Sequence, residues 1–76
     1  MTNSTLFREA VAKAGIKYKF LAESLGITPY GLQKKIDNRS EFKASEIYTA
    51  SAVLNLSEHD RNSIFFCKER DYKSPK

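Results

Sequence analysis

The chain contains 76 residues, of which 41% are hydrophobic and 29% are charged. A chain of this length forms one small domain that buries roughly 60 to 65 per cent of its unfolded surface, which excludes a two-domain cofactor enzyme. Thirteen basic residues against nine acidic ones leave a net charge of +4. This surplus favours an anionic partner such as nucleic acid.

Cysteine and histidine each occur once, as Cys67 and His59. A lone cysteine excludes an internal disulfide, and the two residues are too few to build a zinc site. No apolar segment reaches the roughly 20 residues of a membrane span, and the first residues do not form a signal peptide. We therefore expect a cytoplasmic non-enzyme with no metal, no cofactor and no membrane partner.

The first two predicted helices cover residues 6–14 and 17–25, where apolar residues recur at helical spacing. Gly15 and Gly26 follow the last residue of each helix, in the position where a positive φ is usual. The residues expected to face the core are Leu6, Phe7, Ala10, Val11 and Ala14 in the first helix and Phe20, Leu21 and Leu25 in the second.

The third predicted helix has the clearest start signal in the chain. Thr28 is suited to be the N-cap, and Pro29 at the first helical position has no N–H to lose. Leu32 and Ile36 form the buried stripe of this helix. The helix ends before a polar connection whose one apolar anchor is Phe42.

A fourth helix is predicted over residues 44–54, and a fifth extends to about Phe66. Ser57 and Asp60 form a capping pair of the Ser-x-x-Asp type at the start of the fifth helix. The residues expected on the inner face of the fourth helix are Ile47, Tyr48, Ser51 and Leu54, and the apolar residues of the fifth are Ile64, Phe65 and Phe66.

The adjacent residues Phe65 and Phe66 allow two interpretations. Their side chains diverge by about 100 degrees on a helix. Either one packs inside while the other contributes to a dimer interface, or both wrap into the core. Cys67 is expected to be a small buried hydrophobe, and His59 is expected to be exposed.

The second and third helices have a spacing typical of a helix-turn-helix. Ala22 must be small because the next helix crosses close to it, Gly26 permits the sharp turn, and Leu32 packs against both helices. This arrangement places the third helix outward, where it can enter a DNA major groove about 12 Å wide. Positive charge is concentrated here as well: residues 13–43 hold seven bases and three acids, a surplus equal to the net charge of the chain.

Residues 16–32, IKYKFLAESLGITPYGL, resemble the DNA-binding domain of lambda-repressor-like regulators. More closely, the chain is similar to the short Cro-like proteins of temperate phages and prophages of Gram-positive bacteria, also at residues 41–47 and 64–66. The resemblance implies an all-α, compact five-helix fold that acts in a bacterial host cell. We assign residues 1–67 to this helix-turn-helix domain and residues 68–76 to a charged, flexible C-terminal tail. The packing residues of the helix-turn-helix are Ala22, Gly26, Leu32 and Ile36.

Three positions depart from the pattern of the family. Tyr18 stands where glutamine often braces the recognition helix and touches a phosphate. Pro29 occupies a site that often bears a base-reading side chain. Lys35 stands where many members have an apolar residue, so Ile36 must carry more of the packing.

The resemblance implies a sequence-specific transcriptional regulator that inserts the third helix into the major groove of double-stranded operator DNA, in a phage lysis–lysogeny switch. One recognition helix reads few bases, so we expect a homodimer on paired half-sites, with Phe65 and Phe66 as the candidate interface. Base readout is assigned to Thr28, Tyr30, Gln33 and Lys34, with Gln33 suited to adenine and Lys34 to guanine. Phosphate contacts are assigned to Lys17, Tyr18, Lys19, Lys35, Asn38, Arg39, Ser40 and Lys43.

Two alternatives remain open at this point. The chain is a modulator or antirepressor that binds a partner phage repressor through the same helix-turn-helix surface, which the departures at Tyr18 and Pro29 and the modest net charge favour. Otherwise these side chains are only the exposed polar positions of a small helical bundle, and Tyr30 only covers neighbouring apolar surface.

Overall fold

Five α-helices make up the fold in the part of the chain that the structure, a computed structural model, describes, residues 1–67. They are α1 (Ser4–Ala14), α2 (Tyr18–Leu25), α3 (Pro29–Ile36), α4 (Ala44–Val53) and α5 (Glu58–Phe65). No strand occurs within residues 1–67, so the predicted all-α class is confirmed. None of the helices in this range is long and apolar enough to cross a membrane. The predicted tail, residues 68–76, lies outside the described residues.

Side-chain caps start α3 and α5 as predicted. The Thr28 hydroxyl oxygen accepts the backbone N–H of Gly31 at 3.0 Å, and Pro29 occupies the first helical position. The Ser57 hydroxyl oxygen accepts the N–H of Asp60 at 3.0 Å. Each cap satisfies one of the N–H groups that a helix leaves without a partner in its first turn.

Three consecutive helices end in the same way. Gly26, Asn38 and Asn55 follow α2, α3 and α4 with φ values of 73°, 64° and 54°. In each case the next residue donates its N–H to a carbonyl five residues back, as in a Schellman motif. Glycine adopts this left-handed conformation freely, and asparagine is among the few other residues that tolerate it.

The core brings all five helices and one loop together. Phe7 stacks on Phe42 at 5.6 Å between ring centroids, and Phe65 meets both rings edge-on at 5.8 Å and 5.2 Å. Phe42 is therefore the loop anchor that the sequence predicts. Helix α2 packs against α3 and α4, while α5 packs against α1 and α4. The buried apolar residues are Phe7, Val11, Leu21, Ala22, Leu32, Ile36, Ala50, Leu54, Ile64 and Phe65.

Three residues that were expected to face inward are exposed. Phe20 is 53% exposed and Tyr48 is 78% exposed, and Ala14 at the end of α1 is also at the surface. The inner arc of α2 is taken by Leu21 and Ala22. The inner face of α4 instead follows an i, i+4 row of Glu46, Ala50 and Leu54, which places Tyr48 about 200 degrees from Glu46.

The two adjacent phenylalanines at the end of α5 differ in burial. Phe65 is 4% exposed and belongs to the core, whereas Phe66 is 58% exposed. Phe65 is therefore not available to a dimer interface. Of the two interpretations, the packing agrees with the one in which only one of the two phenylalanines lies inside the core. Cys67 is half-buried and His59 is exposed.

The first residues of the chain, 2–4, form a segment that we call the N-terminal strap, because it joins α1 to α3 and α5. The Ser4 hydroxyl donates to the carbonyl of Ile36 at 2.6 Å, in a buried setting. The N–H of Asn3 donates to the carbonyl of Ile64 at 2.7 Å. The side-chain oxygen of Asn3 also caps the first turn of α1. The strap thereby satisfies carbonyls at the ends of two other helices.

Candidate nucleic-acid interface

The turn between α2 and α3 is held by backbone geometry and tight packing. Gly26 has a φ of 73°, and the N–H of Ile27 donates to the carbonyl of Ala22 at 3.0 Å. A Cβ on Gly26 would contact nothing within 4 Å, so glycine is favoured there by conformation and not by space. Ala22, Leu32 and Ile36 are fully buried, as the sequence predicts for the residues that pack the two helices.

The outward face of α3 presents an aromatic ring and a cation together. Tyr30 is 67% exposed, and the ammonium nitrogen of Lys34 lies 5.6 Å from the centre of its ring. This is the distance range of a cation–π contact. The contact holds two of the four predicted base-reading side chains next to each other on one face of the helix.

The other two predicted base-reading residues each have one polar atom already engaged. The Thr28 oxygen accepts the Gly31 N–H in the helix cap, which leaves its O–H as a donor and one further lone pair as an acceptor. The Gln33 amide nitrogen donates to Asp37 Oδ2 at 3.0 Å, which leaves the amide oxygen and the second N–H.

An ion pair lies beside Gln33 at the end of α3. Arg8 Nη2 is 3.1 Å from Asp37 Oδ1, and both side chains are exposed to solvent. The hydrogen bond from Gln33, together with that from Arg8 and the positive charges of Arg8 and Arg39, holds the pKa of the Asp37 carboxyl below its ordinary value against the smaller opposing effect of burial. Asp37 is therefore an anion at neutral pH.

The start of α2 has unsatisfied backbone donors and positive charge. Lys17 is its N-cap but forms no side-chain capping bond, and the first turn contains no acidic residue. Lys17, Tyr18 and Lys19 are all exposed there. Free N–H groups at a helix N-terminus and adjacent lysines are the groups that bind phosphate in many proteins.

Lys35 differs from its predicted role as a phosphate contact. Its ammonium lies 2.7 Å from Glu46 Oε1, and it also donates to the carbonyl of Glu41 at 3.1 Å. The side chains of Lys35 and Glu46 are only 12% and 8% exposed. Lys35 therefore ties α3 to α4 and has its charge neutralised inside the protein.

Glu46 also joins the start of α4 to this ion pair. Its Oε1 accepts the backbone N–H of Lys43 at 2.8 Å. Burial raises the pKa of the Glu46 carboxyl, but hydrogen bonds from Lys35 and from the Lys43 backbone, with the charges of both lysines, outweigh burial and lower it. Glu46 can thus occupy an inner position of α4 because its carboxylate is paired with the Lys35 ammonium and hydrogen-bonded to the Lys43 N–H.

Asn38 is engaged by the N-terminal strap and not free for a phosphate. Its side-chain oxygen accepts the N–H of Thr2 at 2.8 Å, and its side-chain nitrogen donates to the Thr2 carbonyl at 2.9 Å. Of the remaining predicted phosphate contacts, Arg39 and Lys43 are exposed and Ser40 is half-buried.

Four features of this surface were missed at the level of sequence. The roles of Arg8 and Thr2 depend on contacts across 29 and 36 positions of the chain, which no local pattern reports. The exposure of Phe20, which lines a shallow depression beside Lys17 and Glu23, depends on the rotation of α2. A signal did exist for Glu46, since glutamate three residues after a helix N-cap often bonds back to the N-cap N–H.

Comparison with known proteins adds no relative to this picture. No family model matches the chain, and neither a search of curated proteins nor a search of solved structures returns a match.

Proposed function

We propose that this chain is a sequence-specific DNA-binding transcriptional regulator of the lambda-repressor-like, Cro-like kind, in which α2 and α3 act as a helix-turn-helix. Helix α3 enters the major groove of operator DNA and controls a phage lysis–lysogeny switch. The observation that carries the proposal is the outward face of α3, which presents Tyr30, Gln33 and Lys34. The preceding helix α2 contributes an uncapped, lysine-bearing start.

The charges that stay unpaired in this region support an anionic partner. Of the seven bases in residues 13–43, Lys35 is paired with Glu46, and of the three acids, Asp37 is paired with Arg8. Lys13 lies in a separate groove formed by α1, α5 and the end of α4. Without it, five bases remain against two acids with no ion pair among residues 1–67. A surplus of exposed, unpaired cations around a helix is the electrostatic footprint of a nucleic-acid-binding surface.

Each group has a distinct task in the proposed complex. Tyr30, Gln33 and Lys34 contact base edges, and one such helix covers too few bases for operator specificity, so two copies bind adjacent half-sites. The side chains that contact phosphates and set the position of α3 are Lys17, Tyr18, Lys19, Arg39 and Lys43.

A salt titration with matched lysine variants tests the proposal. The probe is duplex DNA from the intergenic region beside the gene, and an unrelated duplex of equal length serves as reference. The logarithm of affinity is expected to fall with the logarithm of salt concentration by about 0.9 per phosphate contacted. Lys17→Ala is expected to reduce that slope by about one unit. Lys13→Ala removes the same charge from a groove formed by α1, α5 and the end of α4, and is expected to leave the slope unchanged.

Two results would contradict the proposal. One is equal affinity of the intergenic and the unrelated duplex at every salt concentration. The other is an equal effect of Lys17→Ala and Lys13→Ala on the salt slope, because phosphate contacts would then not be concentrated at the start of α2.

One observation favours a second candidate function, a modulator that binds a partner repressor protein. Phe20 is 53% exposed next to the proposed DNA surface, and an exposed phenylalanine offers a phosphate backbone no hydrogen bond. A protein partner would bury it. Phe20→Ser is then expected to abolish co-purification with the repressor encoded by the neighbouring gene. Tyr48→Ser, which changes an aromatic residue on α4 that is 78% exposed, is the control. Retention of the repressor by the Phe20 variant would exclude this function.

A further inference from the structure

The side-chain amide of Gln33 is held in one orientation. Its nitrogen lies 3.0 Å from Asp37 Oδ2, one helical turn further along α3. A carboxylate only accepts hydrogen bonds, so the amide atom that faces it must be the nitrogen and not the oxygen. The amide oxygen of Gln33 consequently points away from Asp37.

Asp37 is itself fixed from a second helix. Its other oxygen, Oδ1, accepts a hydrogen bond from Arg8 Nη2 at 3.1 Å, and Arg8 lies on α1. The two carboxylate oxygens therefore serve different partners, and a charged pair of this kind is the stronger class of hydrogen bond. Arg8, Asp37 and Gln33 form a continuous chain of contacts that ends at the predicted base-reading amide.

Resting on the proposed function, we infer that Asp37, held by Arg8, is a positioning residue that locks the Gln33 amide so that Gln33 reads adenine and rejects guanine. In the major groove adenine presents one acceptor, N7, and one donor, the N6 amino group, which match the oxygen and the remaining N–H of the amide. Guanine presents two acceptors, N7 and O6.

An unlocked glutamine would accept guanine more readily. Its amide can turn so that the NH₂ group faces the two acceptors of guanine. With the nitrogen kept on Asp37, the outward oxygen meets the guanine acceptors and repels them. The anionic Asp37 carboxylate adds to this repulsion, because it also carries only acceptor atoms. Discrimination thus comes from a residue that need not contact the base.

The experiment is a selection from a library of duplexes with a randomised central segment, with the full chain as the binding protein. For wild type we expect one position in each half-site at which adenine is favoured over guanine by roughly tenfold, as for a good paired contact. Asp37→Ala is expected to lower this ratio to below about threefold. Glu23→Ala removes the same charge from an exposed site on α2. It is expected to raise affinity for all duplexes and to leave the ratio unchanged.

A second variant and a second readout guard against a simple loss of folding. Arg8→Gln leaves α3 intact and is expected to lower the ratio part of the way. In the free protein, the side-chain NH₂ resonances of Gln33 are expected to differ from those of a solvated amide and to revert in Asp37→Ala, as seen by nuclear magnetic resonance.

Each outcome decides a separate point. Sequence-selective binding with an adenine-to-guanine ratio that survives Asp37→Ala would overturn this inference and leave the proposed function standing. The same holds if the Gln33 resonances in wild type are those of a solvated amide. Absence of any sequence-selective binding by wild type would overturn the proposed function and the inference together.

Discussion

The two ends of α3 are secured in different ways. At its start, the hydroxyl of Thr28 accepts a backbone N–H three residues ahead, and Pro29 sets the first φ angle. At its end, α3 is held by residues that lie far away in the sequence: Asn38 pairs with Thr2, and the Ile36 carbonyl accepts from the Ser4 hydroxyl. Local contacts alone therefore begin the helix, whereas its end combines the local Schellman turn at Asn38 with long-range contacts.

This difference bears on what the helix can do. The side chains proposed to read bases lie between the two ends. Their placement depends on the direction of α3, which is set by anchors to the N-terminal strap and α4. The start of the helix would form in many sequence contexts. Its end requires a folded domain around it, and changes there are expected to alter stability and readout together.

Removal of a core side chain from the middle of α3 is expected to have the largest effect on stability. Leu32→Ala deletes a side chain that is 1% exposed, and the lost burial together with the cavity is expected to cost about 2 to 5 kcal/mol. Urea denaturation measures it. Tyr30→Ala, on the exposed face of the same helix, should change the unfolding free energy by less than about 0.5 kcal/mol. Equal effects of the two variants would mean that α3 does not pack as described.

Loss of the ion pair that anchors α3 to α4 is expected to have the second-largest effect on stability. Glu46→Ala leaves the Lys35 ammonium without its carboxylate at a site with little solvent, and we expect a cost of roughly 1 to 3 kcal/mol. Glu41→Ala removes an exposed carboxylate from the preceding loop and is expected to stay within about 0.5 kcal/mol of wild type. Thermal or urea unfolding of the two variants gives the comparison, and a harmless Glu46→Ala would show that the ion pair does not anchor α3.

Asn38 contributes to stability in two ways, through its hydrogen bonds to Thr2 and through its tolerance of a positive φ. Asn38→Ala loses both bonds to the Thr2 backbone and forces alanine to a φ of 64°, for an expected cost of about 1 to 2 kcal/mol. Asn38→Gly loses the same two bonds but relieves the backbone, so it should cost about half as much. Unfolding free energies from urea titration separate the variants. If Asn38→Gly matched wild type, the Thr2 bonds would contribute nothing.

The start of α3 is expected to be less costly to disturb than the packed parts. Thr28→Ala removes the N-cap and should cost about 1 kcal/mol, while Thr28→Ser keeps the capping oxygen and should stay near wild type. Circular dichroism during urea unfolding provides the measurement. A cost for Thr28→Ala larger than that for Glu46→Ala would reverse the contrast between the two ends.

Lowering the pH is expected to have the smallest effect on folding stability. The direction of this effect follows from the lowered pKa of Glu46. Because the pKa of Glu46 is lower in the folded chain than its ordinary value of 4.5, this carboxylate stabilises the fold above about pH 4.5 and stops doing so as pH falls through the folded pKa. Between about pH 6 and about pH 3, wild type should lose more stability than Glu46→Gln. Parallel pH profiles of the melting temperature for the two proteins would contradict this.

The sequence was most informative where the signal is local. The caps at Thr28 and Ser57 and the glycines after α1 and α2 were predicted because each depends on residues within one turn. The rotation of short helices was harder to predict, as Phe20 and Tyr48 show. In a helix of eight or ten residues, two adjacent apolar candidates fit the periodicity almost equally, and only the packing partners decide between them.

For the predicted site residues, the sequence identified suitable side-chain chemistry, but it did not show which side chains are left free to contact a ligand. Tyr30 and Lys34 lie on the outward face of α3 as expected. Lys35 and Asn38 carry the polar groups that a phosphate contact needs, but their partners Glu46 and Thr2 lie 11 and 36 positions away. Such pairings arise only once the chain has folded.

The N-terminal strap also determines where the chain can be labelled for binding experiments. Thr2 is 5% exposed and bonded to Asn38, whereas Met1 is 51% exposed. A fluorophore or fusion partner joined at Met1 would therefore emerge beside Asn38 and Asp37, at the edge of the candidate interface. In a protein labelled at the start of the chain, a change in signal or affinity would therefore reflect the label as well as the binding partner.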